Sequence, residues 1–388
     1  MKGNIWKFYL YQTLSGMFFS VPVMVLFWQD NGLSLTEVMI LQSIFAILAV
    51  ILEVPTGYYA DVHGRKKALV LAGITGFIAI SVYSTGHNFF HFLIGEVFFA
   101  FSMSFTSGTT GALLFDTLKS MGMEERYKEI WGKALYYSMI ALAVSNVAGG
   151  LIAKIDLRYT LYASIPFFAL MIPVAVSMQE PERYKPALEK GYTAELVRIV
   201  RSEILKKENL KWLIIYSGIV YAFNQAVLWL YQPYFKISGL DVAYFGIVFA
   251  GFQLVSAFSS KYAYIIESRL GRRYSLAILI FLVAVSYFLM SGFVFIFSFI
   301  FCFIQQFVRG FKNTVIADYI NRLTTSDIRA TVLSAESFAG RLFYAAIIPV
   351  FGWIADVYTV IQALTVMGIT ALVTGIVFIF VLRKNLVI

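Results

Sequence analysis

Long apolar runs separated by short polar breaks organise the chain. They predict helices over 6–29, 37–60, 68–86, 89–118, 131–154 and 158–178, then over 210–236, 241–266, 274–291, 293–321, 331–355 and 359–382. A bilayer-spanning helix needs about 20 predominantly apolar residues, and these runs meet that length. They are too long for strands and lack two-residue alternation, which also argues against an outer-membrane barrel. The expected fold is an all-α integral membrane protein with twelve transmembrane helices. The first run, Phe8 to Trp28, exceeds a signal-peptide core and has no small-residue cleavage site after it, so it reads as a retained helix. The stretch 179–209 is the one long polar interruption. It divides the chain into an N-terminal half (1–178), a linker (179–209) and a C-terminal half (210–388). Within the linker, Val197, Val200, Ile204 and Leu205 form an apolar stripe against Arg198, Arg201, Lys206 and Lys207. That pattern predicts an amphipathic helix lying on the membrane surface.

Composition strengthens this picture. Hydrophobic residues make up 60% of the chain and charged residues 14%, against about 45–50% and about 25% in soluble domains. An ordinary cytosolic enzyme is excluded. The net charge of +9 needs no nucleic-acid partner, because the basic residues are sorted by side of the membrane. Of the 31 Lys and Arg, only Lys154, Arg158 and Lys236 fall in turns assigned to the outside, and Lys261, Arg309, Lys312 and Arg341 lie within helices. The remainder collect on the other side, which predicts cytoplasmic termini in a cytoplasmic (inner) membrane. Cys302 is the lone cysteine, and His63, His87 and His91 sit in loops or at helix ends, so no metal site is expected. No phosphate-binding glycine loop or nucleophile triad is visible. The chain reads as a non-enzyme without a cofactor.

The two halves repeat. Gly108 precedes Asp116 by the same spacing as Gly310 precedes Asp318, and each pair is followed by a basic residue, Arg126 or Arg329. Gly150 heads Gly-Leu-Ile-Ala-Lys as Gly352 heads Gly-Trp-Ile-Ala-Asp, and both alignments use one offset of 202 residues. After the second helix comes Gly57-Tyr-Tyr-Ala-Asp61-Val-His-Gly64-Arg65-Lys66-Lys67. This resembles the signature loop of the major facilitator superfamily, and Glu267-Ser-Arg-Leu-Gly271-Arg272-Arg273 looks like its degenerate copy. The resemblance covers the whole chain and implies two pseudo-symmetric six-helix bundles. It also implies a cytoplasmic gate. Gly57 would let helices approach closely, Gly64 would permit a tight turn, and Asp61 would face the N-terminal end of helix 11, with Asp327 as a cap. Arg65 would pair with Asp116, Arg126 would join them, and Lys66 would add charge. Glu267, Gly271, Arg272, Asp318 and Arg329 are the matching set in the second half. Two departures stand out. Ser145-Asn-Val-Ala-Gly149-Gly150 replaces the Gly-Pro-x-x-Gly-Gly element of drug antiporters, and helix 4 lacks the early arginine of many members.

Ionisable groups at membrane depth are functional candidates by default. At about 100° per residue, Glu96, Met103, Thr106, Ser107 and Thr110 share one face of helix 4, with Asp116 on the other side. Helix 10 places Gln305, Gln306, Arg309, Lys312 and Asn313 together, with Asp318 opposite. Helices 1 and 7 add Gln12, Gln29, Asn224, Gln225 and Trp229 to the expected cavity. Glu53, Glu336 and Arg341 read as a structural network on helices 2 and 11. The expectation is a monomeric secondary transporter whose partners are a small-molecule substrate, protons and the lipid bilayer. Abundant aromatics and sparse buried charge point to proton-driven export of amphipathic organic molecules, with Glu96 as proton carrier. Arg309 and Lys312 point instead to uptake of a small organic anion. A third reading is a transporter-like sensor without net transport.

Overall fold

The computed structural model describes residues 1–181, 204, 206–325 and 328–384. The amphipathic linker helix and Asp327 lie outside them. The described residues form helices and no strand. In chain order the helices are α1 (Lys2–Gly16), α2 (Met24–Asp30), α3 (Leu35–His63), α4 (Arg65–Thr85), α5 (Phe89–Thr106), α6 (Thr109–Lys119), α7 (Tyr127–Ala153) and α8 (Leu157–Ser177). After the linker follow α9 (Glu208–Ala226), α10 (Leu228–Ile237), α11 (Val242–Gly292), α12 (Cys302–Leu323), α13 (Arg329–Val357) and α14 (Val360–Lys384).

Ten helical spans among the described residues are long and apolar enough to cross a bilayer, against the twelve expected. Two causes account for the difference. The span 242–292 contains two helices, because Gly271 takes φ 73° and ψ 166° inside it. A left-handed φ of this kind is open to glycine at little cost, and it turns the chain without a loop. Helix α12 carries Gln305, Gln306, Arg309, Lys312, Asn313, Asp318 and Arg322, so its composition is too polar to register as a span. It also begins later than its apolar run suggests. Residues 293–297 form a turn, and a short 3-10 segment (Ser298–Phe301) leads into the helix.

Two further runs are interrupted. The first breaks between α1 and α2 around the 3-10 turn Val21–Val23, where Pro22 removes a donor. The fourth breaks at Gly108, with φ +67°. That break ends the single face projected through Glu96 and Thr110.

The chain forms two compact units. The first holds Met1–Leu33, Asp241–Ala250, and the chain from Ile44 to the start of the linker. Phe8, Leu114, Leu118, Ile130 and Ala134 build a core there that joins α1, α6 and α7. Close approach of backbones does the rest, as expected where lipid removes the hydrophobic drive between helices. A Cβ built on Gly149 would lie 1.9 Å from the Phe19 carbonyl oxygen, and one on Gly246 would lie 1.9 Å from that of Asn146.

The second unit holds Ser34–Ser43, helices α9 and α10, and the chain from Gly251 onward. Here a Cβ on Gly310 would lie 2.1 Å from the Ser256 carbonyl oxygen. The Asp356 carboxylate accepts from the Leu35 and Thr36 backbone N–H groups at 2.9 and 2.7 Å, capping the start of α3. The 202-residue repeat does equivalent work in each unit. Gly150 faces the Ala243 carbonyl oxygen at 2.7 Å, and Gly352 faces that of Leu35 at 2.8 Å, counted from a built Cβ.

Candidate substrate cleft and gate

In the second unit, α9 presents Tyr221, Asn224 and Gln225 to α12, which presents Arg309, Lys312 and Asn313. Together with Val220 and Val308 they enclose a cleft of about 130 Å³. Helical spacing explains the set: residues 221, 224 and 225 lie within one turn, as do 309, 312 and 313. The cleft's floor is braced by side chains that are themselves consumed. Asn224 Nδ2 donates to the Gln305 carbonyl oxygen and to Gln305 Oε1, both at 2.8 Å. Gln305 Nε2 donates to Val283 at 3.2 Å, and Gln306 Nε2 to the Tyr231 hydroxyl at 3.4 Å. Gln305 and Gln306 were expected to line the cavity. Both are fully buried, and their amides tie α12 to its neighbours instead.

The two cations of the cleft differ. Lys312 is buried, and its Nζ donates to Glu336 Oε1 at 2.7 Å, while Ser217 Oγ donates to the same oxygen. The ammonium also stands 5.4 Å from the centre of the Tyr221 ring, an arrangement that stabilises a desolvated cation. Arg309 is half-buried and has no ion-pair partner among the described residues. A buried cation must be met by water, an acid or a bound anion. Arg309 is thus the cation of this cleft without an ion pair among the described residues. Sequence reasoning placed Glu336 in a structural network and missed Tyr221 and Ser217. The available signal was the buried Lys312 itself, which demands a carboxylate.

Helix 4 behaves differently from expectation. Glu96 is buried and engages the Tyr83 side chain of α4. Thr106 and Thr110 donate back to the Ser102 and Thr106 carbonyl oxygens at 2.8 and 3.1 Å. Gln12 is buried on α1. The described contacts do not join these four into one site.

The loop after α3 is tied down within the first unit. Arg65 Nη1 pairs with Asp116 and donates to the Ala112 carbonyl oxygen at 2.6 Å. The N-terminus of α4 is capped from the linker's start: Glu180 Oε1 accepts from Arg65 N at 2.9 Å, and Oε2 from Lys66 N at 2.8 Å. Gly64, at φ 123°, leaves room for that carboxylate; a Cβ there would lie 2.9 Å from Glu180 Oε2. An anion at a helix N-terminus is stabilised by the exposed N–H groups and the dipole together. Glu180→Gln should cost about 1 kcal/mol, the usual value of a helix cap, visible as a lower melting temperature in detergent.

Three gate expectations need correction. Gly57 meets nothing within 4 Å, so no close helix approach depends on it. Arg126, just before α7, pairs with Glu129 in that helix's first turn at 3.0 Å instead of joining Arg65 and Asp116. In the second unit, Asp318 pairs with Arg322 at 2.8 Å, leaving Arg272 over the Tyr319 ring at 4.9 Å. Tyr319 donates to Glu267 Oε1 at 2.7 Å, and Arg329 is exposed at the start of α13. The pairing of the first unit is therefore not repeated: the i,i+4 neighbour Arg322 takes Asp318 first. Gly271 serves as the turn, as its position requires. Asp327, expected beside Asp61, lies outside the described residues.

The sequence profile of the Major Facilitator Superfamily matches residues 8–238. The chain belongs to the major facilitator superfamily. No curated protein matches it in sequence. Solved structures of this superfamily's architecture resemble it closely in fold. A crystal structure of the nucleoside transporter NupG, in mutant form, aligns with a TM-score of 0.84 at 13% identity, covering 97% of this chain and 99% of that one. A mutant peptide transporter POT gives a TM-score of 0.74 at 13% identity, covering 99% and 95%. A bacterial homologue of the human lysosomal transporter Spinster gives 0.72 at 15% identity, covering 99% and 95%. As a major facilitator protein the chain is a multi-pass membrane transporter with a small-molecule substrate. Its two compact units divide the chain differently from the expected halves, since Ser34–Ser43 belong to the second and Asp241–Ala250 to the first.

Proposed function

We propose that this transporter moves a small organic anion, with Arg309 as the anion contact, by alternating access. The observation that carries the reading is the Arg309 guanidinium, half-buried in a polar cleft and without an ion pair among the described residues. Tyr221, Asn224, Gln225 and Asn313 add hydrogen-bonding groups for the remainder of the substrate. Protons are the proposed coupling ion, and Glu336 replaces Glu96 as the carrier. Glu336 shares one oxygen between Lys312 and Ser217. An anion that drew Lys312 away would leave this carboxylate to take up a proton. Glu96 is held by Tyr83 on the neighbouring helix, which removes the main argument for its coupling role.

Export of amphipathic molecules retains one support, the Tyr221–Tyr344 ring pair beside the cleft, with centroids 6.4 Å apart. Counterflow in proteoliposomes chooses between the readings. Organic anions should exchange, and lipophilic cations should not. Failure of any solute to exchange would favour a sensor. Arg309→Ala should weaken anion affinity by about tenfold to a hundredfold, the range of a charge-assisted hydrogen bond of about 1.5–3 kcal/mol. Arg309→Lys should recover part of it. Unchanged affinity would end the anion reading.

The proposed orientation puts both termini in the cytoplasm of a cell whose inner membrane holds the protein. Asp30 and Glu125 are both exposed and fall on opposite sides in that arrangement. A cysteine at position 30 should react with an impermeant reagent in intact cells, and one at position 125 should not. Cys302 is buried, so the native chain supplies its own blank.

A further inference from the structure

The second arm of α11 and helix α14 pack tightly along their middles. A Cβ on Gly375 would lie 2.6 Å from Ile280 side-chain atoms, and one on Gly368 would lie 3.0 Å from Phe288. Beside that contact the pair opens into a groove of about 390 Å³. Tyr274, Ile278 and Phe281 form one wall; Leu372, Ile376 and Ile379 form the other. The lining is apolar apart from the Tyr274 hydroxyl. The groove differs from ordinary lipid-facing surface in what stands at its end. Arg269 and Arg273 flank Leu270 and Tyr274, and Arg383 and Lys384 follow Ile379 by one turn. All four are exposed, and none has an ion-pair partner among the described residues.

Helical register carries both walls into this basic end. Leu372, Ile376, Ile379 and Arg383 follow the spacing i, i+4, i+7, i+11, and Arg273 lies one turn before Ala277, a lining residue. Arg273 also stands over the Tyr274 ring, 6.0 Å from its centre, so the guanidinium is held at the groove's mouth. A seat for a hydrocarbon chain that opens between unpaired cations is complementary to one class of molecule. We propose that the groove binds an anionic phospholipid, with an acyl chain between α11 and α14 and the phosphate against Arg273 and Arg383. Basic pockets between helices at the cytoplasmic face suit anionic headgroups in charge and in position. This site is separate from the substrate cleft, which α9 and α12 form.

Native mass spectrometry of the protein, released from nanodiscs holding phosphatidylcholine and phosphatidylglycerol, tests the inference. Wild type should retain phosphatidylglycerol adducts in preference to phosphatidylcholine. Arg273→Gln with Arg383→Gln should reduce that preference about thirtyfold, from about 1 kcal/mol per basic residue. Lys119→Gln with Lys128→Gln removes the same charge elsewhere and should leave the preference intact. Ile376→Trp fills the groove, keeps the four cations and should also lose the adduct. Equal loss in the Lys119/Lys128 variant would reduce the effect to net charge and overturn the site. Retention in Ile376→Trp would remove the acyl-chain seat. A dimer in place of lipid adducts, abolished by Ile376→Trp, would assign the groove to a second copy of the chain and overturn the lipid.

Discussion

Lys312→Met is expected to lower stability by about 3–5 kcal/mol and to abolish transport. Removing one partner of a buried ion pair strands the other charge in low dielectric. Here the stranded group would be Glu336, which keeps the Ser217 hydroxyl as a donor. Against a total stability of about 5–15 kcal/mol, that loss should be visible as poor yield and early melting. The double change Lys312→Met, Glu336→Leu removes both charges. It should recover most of the stability, because replacing an entire buried pair by apolar groups is often neutral. It should not recover transport if the pair couples protons. Melting temperatures of the two variants in detergent, with counterflow on each, separate the structural and functional roles. Equal stability of single and double variants would mean that the stranded charge costs nothing.

Gly149→Leu is expected to prevent accumulation of folded protein. Even a methyl group at 149 would sit 1.9 Å from the Phe19 carbonyl oxygen, where real contacts exceed 3.0 Å. The obstacle is backbone, so no side-chain rotation relieves it. Phe19 lies in the break between α1 and α2, and its N–H is held by Ser164 Oγ at 3.0 Å, which limits retreat. Overpacking of a well-filled site costs about 1–3 kcal/mol for small insertions, and a leucine adds three further carbons. Gly57→Ala is the informative contrast. Nothing lies within 4 Å of that position, so it should be neutral or slightly stabilising, since alanine is favoured over glycine in helices by up to about 1 kcal/mol. Membrane-fraction yield and size-exclusion profile would check both. A monodisperse Gly149→Leu protein at wild-type yield would show that the crossing can open without penalty.

The sequence shows clearly where helices pass through the membrane, because run length and charge asymmetry are long-range averages. It shows less of how they break. Pro22 and Gly108 are both visible, yet an apolar run around each reads as continuous. The run from Phe293 contains no polar residue to mark the turn that the structure places before Ser298. The cleft was half legible. Helical projection brings Arg309, Lys312 and Asn313 together because they share one turn of one helix. The same projection includes Gln305 and Gln306, whose amides are spent on Val283, Asn224 and Tyr231. Projection assigns a face but not the helix that faces it, and this is why Glu96 meets Tyr83 and not a cavity. The signature loop shows the opposite failure. Arg65 and Asp116 pair as the motif implies, but Arg126 and Asp318 find partners only three or four residues away along the chain. Local ion pairs form without closing any loop, so they win over distant ones of equal strength.

Glu180 belongs to the linker by sequence but to the first unit by contact, since its carboxylate closes the N-terminus of α4. Neighbouring Gln179 is anchored as well, donating its N–H to Asn4 Oδ1 at 2.9 Å and accepting from Asn4 Nδ2 at 2.8 Å. The chain can therefore be severed in only one direction without injury. A gene split after Pro181 leaves the cap on the first fragment, and the two polypeptides should reassemble when made together. A split before Gln179 gives the same two pieces of membrane helix but exports the cap with the wrong one. A split after Pro181 thus keeps the carboxylate that caps α4 with its helix, a few residues beyond the point where the last N-terminal helix ends.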